Sequence, residues 1–170
     1  KTPANDDPND PDGLWDKTLG IRSAGSLGDL VFLAGPALRA IGGVNFFAFD
    51  AADGKLISSC RVPGWTNIRQ WRVIDGVLYA GIGKPTTPTT PTTPSTGGGG
   101  IIRFNRTLAD PLDSSSDTCG FEEVAQNLGD VAYLTEAEGR IAVSTWGGAP
   151  ARTGFSTGVL LSSPISGGSG

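Results

Sequence analysis

The sequence predicts an all-β fold made of short antiparallel sheets, and three observations support this prediction. Gly 26 and Pro 12 together make up more than a fifth of the 170 residues. The apolar residues come in runs of about four to seven rather than in helical stripes, which is typical of strands. Related runs recur about every fifty residues, a period that is typical of the blades of a β-propeller.

The strands are predicted from three stretches that share the form glycine, small or polar residue, apolar run, glycine. They are GDLVFLAG at 28–35, GVLYAGIG at 76–83 and GRIAVSTWG at 139–147, and a second apolar run follows each of them, at 43–50, 100–105 and 157–164. The second and third copies are also preceded by a run, at 67–75 and 129–138. Within 76–83, Val77, Tyr79 and Gly81 alternate with Leu78, Ala80 and Ile82. This alternation of two apolar sets predicts strands that are buried on both faces.

A hairpin is predicted from FFAFDAADGKLISSCRV, residues 46–62. Asp50 is expected to cap its turn through the carboxylate, and Gly54 to supply the left-handed residue. The stretch resembles the strand-turn-strand of quinoprotein-type (PQQ-like) propeller repeats: Ala48, Asp50, Gly54 and Lys55 match the pattern, and Asp53 stands where the repeats usually have Thr. The resemblance implies a β-propeller-like array of four-stranded antiparallel blades.

Residues 14–170 are predicted to form this repeat region, and residues 1–13 an acidic, disordered linker or tail. The strand count predicts about three incomplete blades, beginning at the inner or second strand of one blade and stopping at the third strand of another. Because a ring needs at least about four blades, we expect either a segment of a longer propeller or a sheet array that other chains complete. The first residue is Lys rather than Met, so we also expect a processed chain or one cut from a longer precursor.

A threonine-proline tract followed by four glycines occupies residues 84–100, between two predicted strands of one blade. Its proline content favours extended polyproline II, so we expect a loop that projects into solvent. Threonine-rich sequence with proline is also typical of O-glycosylated stalks, and a naked flexible loop is the alternative. The candidate O-glycosylation sites are Thr86, Thr87, Thr89, Thr90, Thr92 and Thr93.

Two further signals bear on the compartment. Asn105 begins a formal N-glycosylation sequon at the end of a predicted strand. Cys60 and Cys119 occupy the same phase of consecutive repeats, so they form either a disulfide, if the long polar loop before Cys119 reaches back, or two buried free thiols. Together these features predict an extracellular or cell-surface location by a secreted route.

The composition excludes several classes of function. The formal net charge of −4 and the absence of a basic stripe argue against nucleic acid, and no apolar run is long enough to predict membrane insertion. The chain has no His, which removes Ser-His-Asp and Cys-His nucleophile systems and most zinc and haem sites. The vicinal cysteine pair and calcium ligands of quinoprotein dehydrogenases do not occur either, so we predict no cofactor, no metal and no enzyme activity.

The function expected from the sequence is therefore a binding, adhesion or assembly module. Its partners would be other protein chains, the remaining blades of a longer chain, or carbohydrate. Trp71 and Trp146 are expected to pack between blades, whereas Trp65, after Pro63 and Gly64, is expected to be exposed as a binding aromatic. The alternatives are a structural subunit of a surface appendage or envelope complex, and a fragment of a secreted propeller enzyme that would use paired carboxylates such as Glu122 and Glu123.

Overall fold

The structure is a computed structural model that describes residues 13–85, 98–146 and 157–162. Within these residues the chain forms eleven strands and no helix, which confirms the all-β prediction. The strands make three antiparallel sheets of four, four and three strands, and no sheet closes on itself. No described helix is long and apolar enough to cross a membrane.

Each sheet is a meander in which strands adjacent along the chain are adjacent in space. The first sheet contains β1 (Ser23–Leu27), β2 (Leu30–Pro36), β3 (Val44–Asp50) and β4 (Leu56–Val62). The second contains β5 (Asn67–Ile74), β6 (Val77–Gly83), β7 (Gly99–Arg103) and β8 (Glu122–Gln126). The third contains β9 (Asp130–Ala137), β10 (Arg140–Trp146) and β11 (Thr157–Leu161).

The strand count of the first two sheets differs from the prediction of about three incomplete blades. The first sheet begins with β1, which precedes β2 and pairs with it from Ser23–Ala34 to Leu27–Leu30. The strand β8 likewise completes the second sheet by pairing with β7. The first two sheets therefore have four strands each, and only the third has three among the described residues.

The hairpin turns follow from residues that tolerate positive φ. In the β3–β4 turn, Asp50 Oδ1 accepts a hydrogen bond from the Ala52 backbone N–H at 2.8 Å, and Gly54 has a φ of 72°. Both features of this turn predicted from the sequence are confirmed. The β5–β6 hairpin turns through Asp75 and Gly76, with φ values of 49° and 72°, as a two-residue turn with both positions left-handed requires.

The second sheet is buried on both faces. Leu78, Ala80 and Ile82 belong to a core shared with the first sheet, whereas Tyr79 and Ile101 belong to a core shared with the third. The alternation in β6 therefore separates the residues of the two cores, as predicted. The first strand of each sheet along the chain also packs against the first strand of the next sheet. Strand β1 contacts β5, and β5 contacts β9.

Trp71, on β5, fills the space between the first and second sheets. Its indole stacks on Phe32 with ring centroids 5.3 Å apart and meets Phe46 edge-on at 6.2 Å. Its Nε1–H donates a hydrogen bond to Ser23 Oγ at 3.1 Å. A Cβ added at Gly25 would lie 2.5 Å from Trp71 Cβ, so glycine is required there for the sheets to approach. The prediction that Trp71 packs between sheets is confirmed.

Gly81 has the corresponding role between the second and third sheets. An added Cβ would lie 2.6 Å from Val131 Cγ1 and 2.7 Å from the Val131 carbonyl oxygen. We expect Gly81→Ala to lower the free energy of unfolding by about 1–3 kcal/mol, because a backbone atom cannot move aside as a side chain can. Urea denaturation followed by fluorescence measures this loss.

The matched control for Gly81→Ala is Gly64→Ala. A Cβ at Gly64 meets nothing within 4 Å. This variant should change the unfolding free energy by less than about 0.5 kcal/mol, the range typical of surface substitutions. Equal effects of the two substitutions would contradict the close approach of the sheets at Gly81.

Candidate functional site

The threonine-proline tract is inserted between two neighbouring strands of the second sheet. Its six candidate threonines, Thr86 to Thr93, lie outside the described residues, but the two ends of the insertion are described. Lys84 leaves β6 and its Nζ lies 2.5 Å from Glu123 Oε2 on β8. Gly98 packs against the carbonyl oxygens of Lys84 and Pro85, where a side chain would not fit. The insertion therefore begins and ends at a narrow, packed stem, and its glycosylation stays a prediction.

Cys60 and Cys119 form the disulfide that was one of the two predicted alternatives. Their Cα atoms are 5.9 Å apart, and both residues are buried. Cys60 lies on β4 of the first sheet, whereas Cys119 lies in the long connection from β7 to β8 of the second. The bond therefore joins two sheets that also share a core, and it encloses β5, β6 and β7.

The sequon residue Asn105 lies two residues after the end of β7, and both Asn105 and Thr107 are exposed. Its Nδ2 donates a hydrogen bond of 3.3 Å to Glu122 Oε2, which also accepts one of 2.8 Å from Arg103 Nε. The amide is thus at the surface, where a glycosylating enzyme needs it. Whether Asn105 carries a glycan stays a prediction.

The prediction that Trp65 is an exposed binding aromatic was wrong. Trp65 is only 2% exposed and packs edge-on against Phe46, with ring centroids 5.7 Å apart. The connection between β4 and β5 turns at Pro63 and Gly64 and places the indole in the core between the two sheets. The structure does not describe the side chain of Trp146, so the prediction that it packs between blades is not tested.

The exposed aromatic residue that sequence reasoning missed is Tyr133 on β9, which is 48% exposed. Arg72 on β5 donates from Nη2 to the Tyr133 hydroxyl at 3.3 Å, and its Cζ lies 6.0 Å from the ring centroid. This contact links β5 of the second sheet to β9 of the third sheet. An exposed ring held beside a guanidinium can stack on a sugar and hydrogen-bond its oxygens.

A cleft of about 520 Å³ lies at the outer side of the first sheet. Four separate segments form it: the turn before β1, the β2–β3 connection, β4 and the disulfide-bonded connection. The lining residues are Leu14, Lys17, Ile41, Cys60, Arg61 and Ser114. Of its lining residues, only Cys60 was selected from the sequence, and it was selected as a disulfide candidate, because the parts of the cleft are far apart along the chain.

The carboxylates considered for a hydrolase are separated by the strand geometry. Glu122 and Glu123 are consecutive on β8, and each pairs with its own cation, Arg103 and Lys84 respectively. Successive side chains of a strand point to opposite faces, so the two do not form a pair across one site. Among the described residues, no group of three or more His, Cys, Asp or Glu is placed to hold a metal ion.

Asp130, at the start of β9, is a half-buried carboxylate at the junction of the second and third sheets. Burial raises its pKa above the usual 3.8, and the nearby guanidinium of Arg69 opposes this rise. Its Oδ1 lies above Gly83, where an added Cβ would come within 2.5 Å of it. Burial thus favours the protonated form in the folded protein.

A pH-dependent stability follows from the raised pKa of Asp130. Its contribution is fully present below the unfolded value near 3.8 and is lost as the pH rises through the folded pKa. Asp130→Asn should therefore gain stability relative to the wild type as the pH rises from about 3 to about 7. Thermal unfolding across this range measures the difference. Asp29→Asn, at an exposed turn, is the control, and a constant Asp130→Asn difference at every pH would contradict the prediction.

Comparison with known proteins assigns no family to the chain. No family model, curated protein or solved structure is significantly similar to it. The resemblance to PQQ-like repeats therefore rests on the residues of the β3–β4 hairpin alone, and it stays a prediction.

Proposed function

We propose that this chain is a segment of an extracellular β-propeller-like array that serves binding, adhesion or assembly rather than catalysis. One observation carries the architectural part of this proposal: three consecutive antiparallel meanders stack with β1 against β5 and β5 against β9. In a propeller, four-stranded sheets repeat around a central axis and their innermost strands are neighbours. The PQQ-like hairpin pattern at Asp50 and Gly54 supports the same architecture.

An extracellular location is supported by the disulfide and by the inserted tract. A bond between buried cysteines persists in oxidising compartments and is rare in the cytosol. The tract leaves the sheet through a packed stem, so modification of its threonines would not disturb the core. The exposed sequon at Asn105 is consistent with the same route.

Binding of carbohydrate is supported by the exposed Tyr133 and its contact with Arg72. If the protein binds polysaccharide there, Tyr133→Ala should reduce retention on the immobilised polymer, whereas Tyr133→Phe should retain most of it because the ring is kept. Val73→Ala, at an exposed position on the neighbouring strand β5, is the control. Equal retention of all three variants would contradict a role for Tyr133.

A second candidate function is a structural subunit completed by neighbouring chains. Among the described residues, no further sheet covers the first sheet on the side away from the second, or the third sheet on the side away from the second. Such uncovered sheets can be covered either by further blades of the same chain or by other chains. Light scattering separates the two cases, because self-assembly raises the molar mass with concentration and a monomeric segment does not.

The test of the extracellular proposal is intact-mass spectrometry on protein isolated from its native source. We expect no free thiol and a mass excess in steps of one hexose, confined to the peptide that contains the tract. A recombinant variant with the six candidate threonines replaced by alanine should lose this excess when it is expressed in the same host. An unmodified mass together with two free thiols would overturn the proposal.

A further inference from the structure

Two side chains of β5 hold the surface around Tyr133 in place. Gln70 Oε1 accepts a hydrogen bond of 3.0 Å from the Leu134 backbone N–H, and Arg72 Nη2 donates one of 3.3 Å to the Tyr133 hydroxyl. The guanidinium carbon of Arg72 lies over the Tyr133 ring, 6.0 Å from its centroid. Because Gln70 bonds the backbone of β9 one residue after Tyr133, the ring and the guanidinium are held side by side before any ligand binds.

The positive charge of Arg72 is available to a ligand. Arg72 is exposed, and none of the ion pairs formed within the described ranges involves it. Strand β5 contains no acidic residue. On β9, Glu136 Oε1 accepts a hydrogen bond of 2.9 Å from the Gly139 N–H, and Asp130 is half-buried at the start of the strand. A negatively charged ligand at Tyr133 would therefore meet a cation that no described carboxylate neutralises.

The pair of an exposed ring and a guanidinium fits one class of sugar better than others. The apolar face of a sugar ring stacks on an aromatic side chain, and any sugar offers such a face. A uronic acid also carries a carboxylate directly on its ring, and the planar N–H groups of a guanidinium match the two oxygens of a carboxylate. A neutral sugar would use the ring of Tyr133 and leave the charge of Arg72 unpaired.

We propose that Tyr133 and Arg72 bind a uronic acid unit of an acidic polysaccharide, with the sugar ring on Tyr133 and the carboxylate on Arg72. This inference rests on the proposed binding of carbohydrate at Tyr133 and names the class of its ligand. The short distance between the ring and the guanidinium suits the uronic acid, because its two recognised groups belong to a single sugar.

The probe is polygalacturonate, and its fully methyl-esterified form is the matched control, because it has the same sugar chain without the negative charges. Retention of the full chain on each immobilised polymer measures binding. The chain has a formal net charge of −4, so its overall charge opposes retention on a polyanion. We expect binding to polygalacturonate and about tenfold weaker binding to the ester, the effect of losing one charge-assisted hydrogen bond.

Variants of Arg72 test the contact with the carboxylate. Arg72→Gln should weaken binding to polygalacturonate by about tenfold and leave binding to the ester unchanged. Arg72→Lys should restore only part of the loss, because an ammonium group lacks the planar fork. Arg39→Gln, which removes an exposed charge in the β2–β3 connection, is the control and should change neither. Sodium chloride should weaken the binding of the wild type to polygalacturonate more than that of Arg72→Gln, which has no charge to screen there.

The outcomes separate this inference from the proposed function. Equal binding to the acid and the ester, lost from both in Tyr133→Ala, would overturn the uronic acid assignment and leave the binding of carbohydrate intact. Binding to neither polymer would overturn the assignment, and the proposed binding falls with it if neutral dextran is not bound either. Tighter binding to dextran sulfate than to polygalacturonate would contradict a site for carboxylates. The comparison of acid and ester uses the wild type alone, so it decides the question even if a variant does not fold.

Discussion

Trp71→Ala should lower the free energy of unfolding by about 3–5 kcal/mol, the cost typical of deleting a buried aromatic side chain. The residue is 7% exposed and contacts Phe32 of the first sheet and Phe121 in the connection before β8, so its removal leaves a cavity that neither side can fill alone. Urea denaturation at neutral pH measures the loss. Because domains of this size are stable by only about 5–15 kcal/mol, partial unfolding at 37 °C is an accessible second measurement.

Two controls separate the contributions of the Trp71 side chain. Ser23→Ala removes the acceptor of the indole N–H and should cost about 1 kcal/mol. Trp15→Ala removes a half-buried indole that stacks on Phe47 at the outer face of the first sheet, with centroids 3.8 Å apart. This second loss should be smaller than that of Trp71, because the site is open to water on one side. A Trp71→Ala cost no larger than that of Trp15→Ala would contradict the inter-sheet position of Trp71.

Replacing both cysteines by alanine should lower the free energy of unfolding by about 4 kcal/mol on the chain-entropy estimate. The bond joins residues 59 positions apart, so it removes a large part of the freedom of the unfolded chain. The midpoint of urea denaturation should fall accordingly. The wild type in the presence of a reductant should show the same shift.

The reductant supplies the internal control for the disulfide. It should leave the stability of the double alanine variant unchanged, because that protein has no bond to reduce. A reductant effect of equal size on both proteins would show that the agent acts elsewhere. Equal stabilities of the wild type and the double variant would contradict a stabilising bond.

Strands that begin or end at a glycine could be predicted from the sequence, because the end of such a strand is decided by local backbone conformation. Gly76 and Gly139 have φ values of 72° and 69°, which few other residues adopt, so a glycine next to an apolar run marks the hairpin. The carboxylate cap of Asp50 is equally local, since it involves a backbone N–H two residues away. The core faces of β6 followed from simple alternation.

The remaining features depend on contacts between distant segments. The sequence SAGSL of β1 has little apolar pattern, and its position is decided by Trp71 packing over Gly25. The acidic start of β8 was considered as a carboxylate pair of an enzyme and not as a strand, although ion pairs with Arg103 and Lys84 hold it at the second sheet. The burial of Trp65 could not be predicted, because the direction of the turn before it depends on tertiary packing. The cleft could not be predicted for the same reason, since its lining comes from four separate segments.

The bond between Cys60 and Cys119 gives the chain a covalent ring that contains the whole threonine-proline tract. A protease that cuts once inside this tract opens the ring but releases no fragment, because both pieces stay joined through sulfur. Such a nicked molecule would keep its mass under non-reducing electrophoresis and separate into two bands only after reduction. The chain can therefore be cut within this tract while its two parts stay covalently joined.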